Sequence, residues 1–135
     1  MLDNKDYCDY ETCVALKELG YIGTQGECCN FGAYYQNGND IFYDRLCNPE
    51  LGEDEYLRVP LYLAQKWLRE EKKIHVEVHI AFNKYFYELF KTDEYDKHIG
   101  IQKVLKFGTN GYKSHEEALL EGIKEAVKLL KEERK

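Results

Sequence analysis

The strongest constraint on the fold is the alternation of side chains in residues 72–91, KKIHVEVHIAFNKYFYELFK. Apolar and polar residues follow one another with a period of two from His75 onward, which predicts a β-strand with one buried face. The alternation ends at Asn83-Lys84, and an aromatic run follows. We therefore predict a β-hairpin whose turn is centred on Asn83 and Lys84.

This turn fixes which side chains lie opposite each other in the hairpin. It places Ala81 opposite Phe86 and His79 opposite Glu88. One face is almost entirely apolar and is predicted to face the core; it consists of Val76, Val78, Ile80, Phe82, Tyr85, Tyr87 and Leu89. The other face carries His75, Glu77, His79, Phe86, Glu88 and Phe90.

The second face combines imidazoles with carboxylates, which can bind zinc, iron or manganese or perform acid–base chemistry. Side chains two residues apart on a strand lie about 6–7 Å from each other, so a metal would need ligands from another element. A solvated face with a cross-strand ion pair is the simpler alternative. We predict His75, His79 and Glu88 as ligand-binding residues, and we assign no metal site, no cofactor and no catalytic residue.

Two further stretches predict a helix followed by a hairpin near the start of the chain. A helix is expected from about residue 9 to residue 19, with Asp9 as N-cap and Gly20 as the stop. Two short aromatic runs then flank Asn37 and Gly38, a strong signal for a hairpin turn. With a loop from residue 36 to residue 39, Tyr34 shares a face with Ile41, and Tyr35 shares the other face with Phe42.

The rest of the chain supplies two helices and a strand. Pro60 opens a helix predicted over residues 61–72, because the N–H that proline lacks would be unsatisfied at that position. The stretch HIGIQKVLKF reads as a strand. Ser114 and Glu117 form a capping box that opens the last helix. Its apolar stripe is Ala118, Leu119, Ile123, Ala126, Val127 and Leu130.

This order of elements predicts a single α+β domain over residues 1–135. Its antiparallel sheet is built from two hairpins plus a further strand, with three helices packed on it. The sequence contains no Gly-rich phosphate-binding loop, so it gives no support to a Rossmann or P-loop fold.

Composition excludes several classes of partner. The net charge of −6 argues against binding a nucleic-acid backbone. No apolar run reaches the ~20 residues that cross a bilayer, so we expect no membrane association and a cytoplasmic location. The five cysteines do not match the paired spacing of a zinc ribbon and are expected to be free thiols in a reducing compartment.

The chain is rich in tyrosine, with twelve residues of this type. Exposed tyrosine on a rigid hairpin is typical of binding surfaces, because it offers contact area at low entropic cost together with a hydroxyl. We therefore add Tyr34, Tyr35, Tyr85 and Tyr87 to the predicted ligand-binding residues. The alternative is that these rings pack against helices or against a second copy of the chain.

Three segments carry a resemblance to other proteins: DYETCVALKELGY, VPLYLAQKWLREEKKIHVEV and YKSHEEALLEGIKEAVKLL. Together they resemble a broad set of small phage- and prophage-encoded proteins of uncharacterised function. The resemblance covers most of the chain in order, and it implies a viral or mobile-element gene product acting in a host cell. It transfers no catalytic residue.

These observations favour a non-enzymatic binding protein that acts in the host cytoplasm. Its partner would be a host protein or a small nucleotide-like ligand, and an anti-defence protein that sequesters a nucleotide signal fits this description. One alternative is a hydrolase or phosphodiesterase that uses His75, Glu77, His79 and Glu88. Another is a structural module that forms a homo-oligomer through its sheet.

Overall fold

A computed structural model describes residues 2–23, 27–35, 38, 40–43 and 51–133. The chain divides into two compact units, Met1–Pro60 and Leu61–Lys135. Helices and antiparallel strands occur in both, which confirms the α+β class. The strands form two three-stranded sheets rather than one. The single-domain assignment stays a prediction.

The first unit begins with helix α1, Tyr10–Glu18. The Asp9 side chain accepts a hydrogen bond from the Thr12 N–H at 2.9 Å, and Gly20 has a φ of +108° just past the helix end. The predicted N-cap and stop are therefore confirmed. Cys13, Leu16 and Leu19 are buried, as their helical spacing predicts.

The sheet of the first unit contains β1 (Ala33–Tyr35), β2 (Asp40–Phe42) and β3 (Glu55–Leu57) in the order β2-β1-β3. Tyr34 pairs with Ile41 and Tyr35 with Asp40, the register predicted for the first hairpin. Asn37 lies outside the described residues. The sequence did not predict β3, which pairs with the other edge of β1.

Two buried polar side chains, Glu27 and Arg58, contact other segments of this unit. Glu27 opens the short helix α2, Glu27–Phe31, and accepts a hydrogen bond of 2.6 Å from the Tyr21 hydroxyl. The Arg58 guanidinium stacks on the Tyr7 ring at 3.7 Å. The sequence did not predict α2, because a five-residue helix has too few turns to show a periodic pattern.

The second unit contains helix α3 (Leu61–Glu71), strands β4 (Ile74–Ala81), β5 (Lys84–Asp96) and β6 (Ile101–Phe107), and helix α4 (His115–Glu133). The sheet order is β4-β5-β6, and both helices contact β4. The Ser114 hydroxyl accepts a hydrogen bond from the Glu117 N–H at 3.1 Å. Every residue of the predicted apolar stripe of α4 is buried.

The turn between β4 and β5 corrects the predicted register. It is formed by Phe82 and Asn83, whose φ angles are +51° and +61°, as a type I′ turn requires. Ala81 therefore pairs with Lys84, and His79 pairs with Phe86 instead of Glu88. A turn one residue later would separate two fully buried partners, Val76 and Leu89, which lie opposite each other here. The predicted core face is only partly buried: Val76, Tyr87 and Leu89 are buried, whereas Ile80 is 63% exposed and Phe82, now a turn residue, is 95% exposed. The paired residues keep their predicted faces, because the shift keeps the parity of the pairing.

Three further predictions concern the cysteines, membrane association and metal binding, and each is compared with the described residues alone. Cys8 and Cys13 are buried free thiols and Cys28 is also buried, whereas the Cys29 side chain and Cys47 lie outside the description. Of the helices described, none is both long and apolar enough to cross a bilayer. Nor do the described residues contain a group of three or more histidine, cysteine, aspartate or glutamate side chains placed to hold a metal ion.

Candidate ligand-binding groove

The sheet of the second unit has one face covered by its helices and one open face. The covered face carries the buried side chains of Ile74, Val76, Tyr87 and Leu89. The open face carries three cross-strand pairs between β4 and β5: His75 with Phe90, Glu77 with Glu88 and His79 with Phe86. Strand β6 extends this face, because Phe107 lies opposite Glu88 and Val104 opposite Phe90.

Two of the predicted ligand-binding tyrosines lie on the covered face. Tyr87 is only 8% exposed, and its ring packs where a side chain on Gly108 or Gly122 would collide with it. Burial raises the pKa of its hydroxyl. Tyr85 is half-buried, with its ring 6.2 Å from the ring of His115. The structure does not place these two tyrosines together with His75, His79 and Glu88.

The other two predicted tyrosines belong to the sheet of the first unit. The Tyr34 hydroxyl donates a hydrogen bond of 3.0 Å to the Cys8 carbonyl, and its ring stands edge-on to Tyr10. Tyr34 therefore has a structural role. Tyr35 lies on the opposite face of β1, is 39% exposed, and contacts the ring of Phe42 edge-on at 6.3 Å. It is the more accessible tyrosine of this pair.

One end of the open face is an aromatic cluster around His79. Its imidazole stacks on Phe86 with ring centroids 6.2 Å apart and lies 5.4 Å from the Phe107 centroid. Glu88 is half-buried beside this cluster and faces Glu77 across the strands. The arrangement differs from the predicted His79–Glu88 pair, so no imidazole–carboxylate couple forms there.

The other end of the open face is a groove of about 410 Å³. This volume lies within the range of small-molecule sites, roughly 300–1,000 Å³. Helix α3 contributes Arg69 from its last turn, and the sheet contributes the other residues. The lining consists of Arg69, His75, Glu77, Phe90, Thr92 and Gln102.

A bulge in β5 shapes one wall of this groove. The pairing of β5 with β6 shifts register between Lys91 and Tyr95, which leaves the intervening residues without paired residues in β6. Gln102 compensates for this loss, because its amide nitrogen lies 3.0–3.2 Å from the carbonyl oxygens of Lys91, Thr92 and Glu94. The wall is therefore fixed by a side chain from the neighbouring strand.

Two polar groups of the groove, the His75 imidazole and the Arg69 guanidinium, are not fully paired with other described residues. Burial lowers the pKa of His75, the nearby Glu77 carboxylate raises it, and the Arg69 guanidinium lowers it. The Nδ1 atom of His75 is buried and has no hydrogen-bond partner among the described residues. Within the same part of the chain, Arg69 forms neither a hydrogen bond nor an ion pair. The groove thus offers a neutral imidazole and an available cation.

The lowered pKa of His75 predicts that the second unit loses stability on mild acidification. As the pH falls through the ordinary histidine value of 6.5, the unfolded chain takes up a proton before the folded chain does. Stability is therefore fully present above this pH and decreases below it. Urea unfolding at pH 7.5 and pH 5.5 should show a smaller acid-induced loss for His75→Gln than for the wild type. His98→Gln, the same change at an exposed turn, controls for the removal of any histidine.

The sequence identified half of this groove. His75, Glu77 and Phe90 were placed on one face by their parity, and His75 was predicted as a ligand-binding residue. Arg69, Thr92 and Gln102 were missed, because Arg69 lies among charged residues that predict a solvated helix turn. Of these three residues, only Gln102 has a signal that the sequence could have revealed. It is the single uncharged polar side chain in β6, whose sequence is IQKVLKF.

No protein-family model matches the chain, and neither the curated proteins nor the solved structures gave a significant match.

Proposed function

We propose that this protein is a non-enzymatic binding protein and that the groove beside His75 binds a small nucleotide-like ligand. The observation that carries the proposal is the Arg69 guanidinium, which lines the groove without a hydrogen bond or ion pair to any described residue. An arginine in this state can bind a phosphate through two parallel N–H donors.

The other groove residues fit the remaining parts of such a ligand. The Phe90 ring offers a surface on which a planar base can stack. His75 Nδ1, which lacks a partner among the described residues, can exchange a hydrogen bond with a sugar or base atom. The Thr92 hydroxyl, also in the lining, can donate to or accept from the ligand. A cation, a ring and uncharged polar groups in one groove match a phosphate, a base and a sugar.

The proposal is tested by thermal shift and calorimetry against nucleoside monophosphates, cyclic dinucleotides and inorganic phosphate. At least one nucleotide is expected to raise the melting temperature at about 1 mM, because a ligand that binds only the folded state stabilises it by mass action. Phosphate alone should bind more weakly, because it cannot stack on Phe90. Arg69→Gln is expected to weaken nucleotide binding by about tenfold or more.

A matched control comes from the same helix. Lys66→Gln removes one positive charge at an exposed position of α3 that does not line the groove. It should bind the nucleotide as the wild type does. Equal losses of nucleotide affinity in Lys66→Gln and Arg69→Gln would show that net charge alone causes the effect, and would contradict the proposed site. Recovery of a hydrolysed nucleotide after incubation would contradict the non-enzymatic part of the proposal.

In a cell, a protein of this kind acts stoichiometrically by lowering the free concentration of its ligand. The resemblance of three segments to phage- and prophage-encoded proteins supports sequestration of a host nucleotide signal as an anti-defence role in the host cytoplasm. Blocking of a host protein is the second form of the proposal. One observation favours it: the Phe82 ring at the β4–β5 turn is 95% exposed. The hydrolase and homo-oligomer alternatives stay predictions.

A further inference from the structure

The groove holds a carboxylate whose neighbours do not neutralise it. Glu77 is exposed and lies directly opposite Glu88 in the β4–β5 pairing. Like charges in opposed positions of a sheet destabilise it. Glu77 also forms no hydrogen bond or ion pair within the described chain, although Arg69 lines the same groove. A ligand that brings N–H donors to Glu77 would relieve this repulsion.

The cation and the anion of the groove stay separate. Arg69 and Glu77 act on the His75 imidazole with opposite electrostatic effects, so both lie near it, yet they do not pair with each other. Phe90 is the cross-strand partner of His75 and is diagonal to Glu77 on the same face. A base that stacks on Phe90 therefore has a carboxylate within reach of its edge and a guanidinium available to its phosphate.

We infer that Glu77 selects guanine, so that the ligand is a guanine nucleotide; this inference rests on the proposed function. Guanine presents the N1–H and the exocyclic amino group side by side, and these two donors match the two oxygens of a carboxylate. Adenine and cytosine place a ring acceptor beside their amino group. Uracil flanks its single N–H with two carbonyl oxygens. Each of these three bases would bring an acceptor against a carboxylate, which accepts only.

The test compares GMP with IMP and AMP by calorimetry. IMP keeps the N1–H of guanine and lacks only the exocyclic amino group. GMP is expected to bind the wild-type protein about tenfold more tightly than IMP, since a hydrogen bond to a charged acceptor is lost in IMP. In Glu77→Gln the GMP-to-IMP ratio should fall to about threefold or less, while AMP binding should not weaken.

The matched control is Glu88→Gln, which removes the same charge from the opposed strand position without altering the groove lining. It should keep the preference for GMP over IMP. Equal affinity of the wild type for GMP, IMP and AMP would overturn the guanine inference and leave the proposed function standing. Absence of binding by every nucleotide would overturn both. Loss of the preference in Glu88→Gln as well would assign it to net charge and overturn the role of Glu77.

Discussion

Replacing Gly122 with valine is expected to destabilise the second unit by about 3 kcal/mol. Gly122 lies in the buried face of α4, which packs against the sheet. A Cβ atom at this position would lie 2.5 Å from Val76 Cγ1 and 3.0 Å from Tyr87 Cβ. Both neighbours are buried and held in adjacent paired strands, so neither side chain has free space into which it can move.

The difference in helix propensity between glycine and valine favours the variant, but it is smaller than the cost of the collision. Valine is better than glycine in a helix interior by about half a kcal/mol. Lys128→Val provides the control, because it introduces the same side chain at an exposed position of the same helix. Thermal or urea unfolding of this control should differ from the wild type by no more than about 0.5 kcal/mol. Wild-type stability of Gly122→Val would show that α4 can move away from the sheet at no cost.

Replacing Leu16 with alanine is expected to destabilise the first unit by about 2–5 kcal/mol. Leu16 is completely buried on the inner face of α1 and is among the largest side chains with no exposed surface. The loss combines the transfer free energy of the deleted atoms with the cavity that they leave. Ile22→Ala is the control, because Ile22 is 76% exposed and its truncation should change stability by less than about 0.5 kcal/mol.

The same variant tests whether the chain is one cooperative domain. Trp67 is the only tryptophan and belongs to the second unit. Urea unfolding followed by its fluorescence therefore reports on that unit, while Leu16→Ala perturbs the first. If the two units unfold together, the midpoint from Trp67 fluorescence will shift in Leu16→Ala. An unchanged midpoint would contradict the single-domain prediction.

The local elements were predictable because their signals are local. The N-cap at Asp9, the N-cap at Ser114 and the apolar stripe of α4 each depend on residues within a few turns of one another. The register of the first hairpin followed from the Asn37-Gly38 signal. Short elements such as β3 and α2 were missed, because three to five residues do not establish a period.

The β4–β5 turn is an element whose position local sequence signals predicted wrongly. Phe82 occupies a left-handed conformation that a bulky side chain rarely adopts, so turn propensity favours a position one residue later. The observed turn instead keeps Val76 opposite Leu89 in the core. Packing of two buried side chains outweighed the local preference of one exposed ring. The predicted His79–Glu88 pair was lost for this reason.

The sequence by itself determined which residues share the open face of this sheet, because parity along a strand does not depend on the position of the turn. Only the tertiary structure decided that His75 and Glu77 border a groove. Its walls come from Arg69 on α3 and Gln102 on β6, which are far from each other in sequence and lie together through sheet pairing and the β5 bulge. A periodic pattern specifies a face, whereas a concave site requires contacts between elements that no single pattern contains.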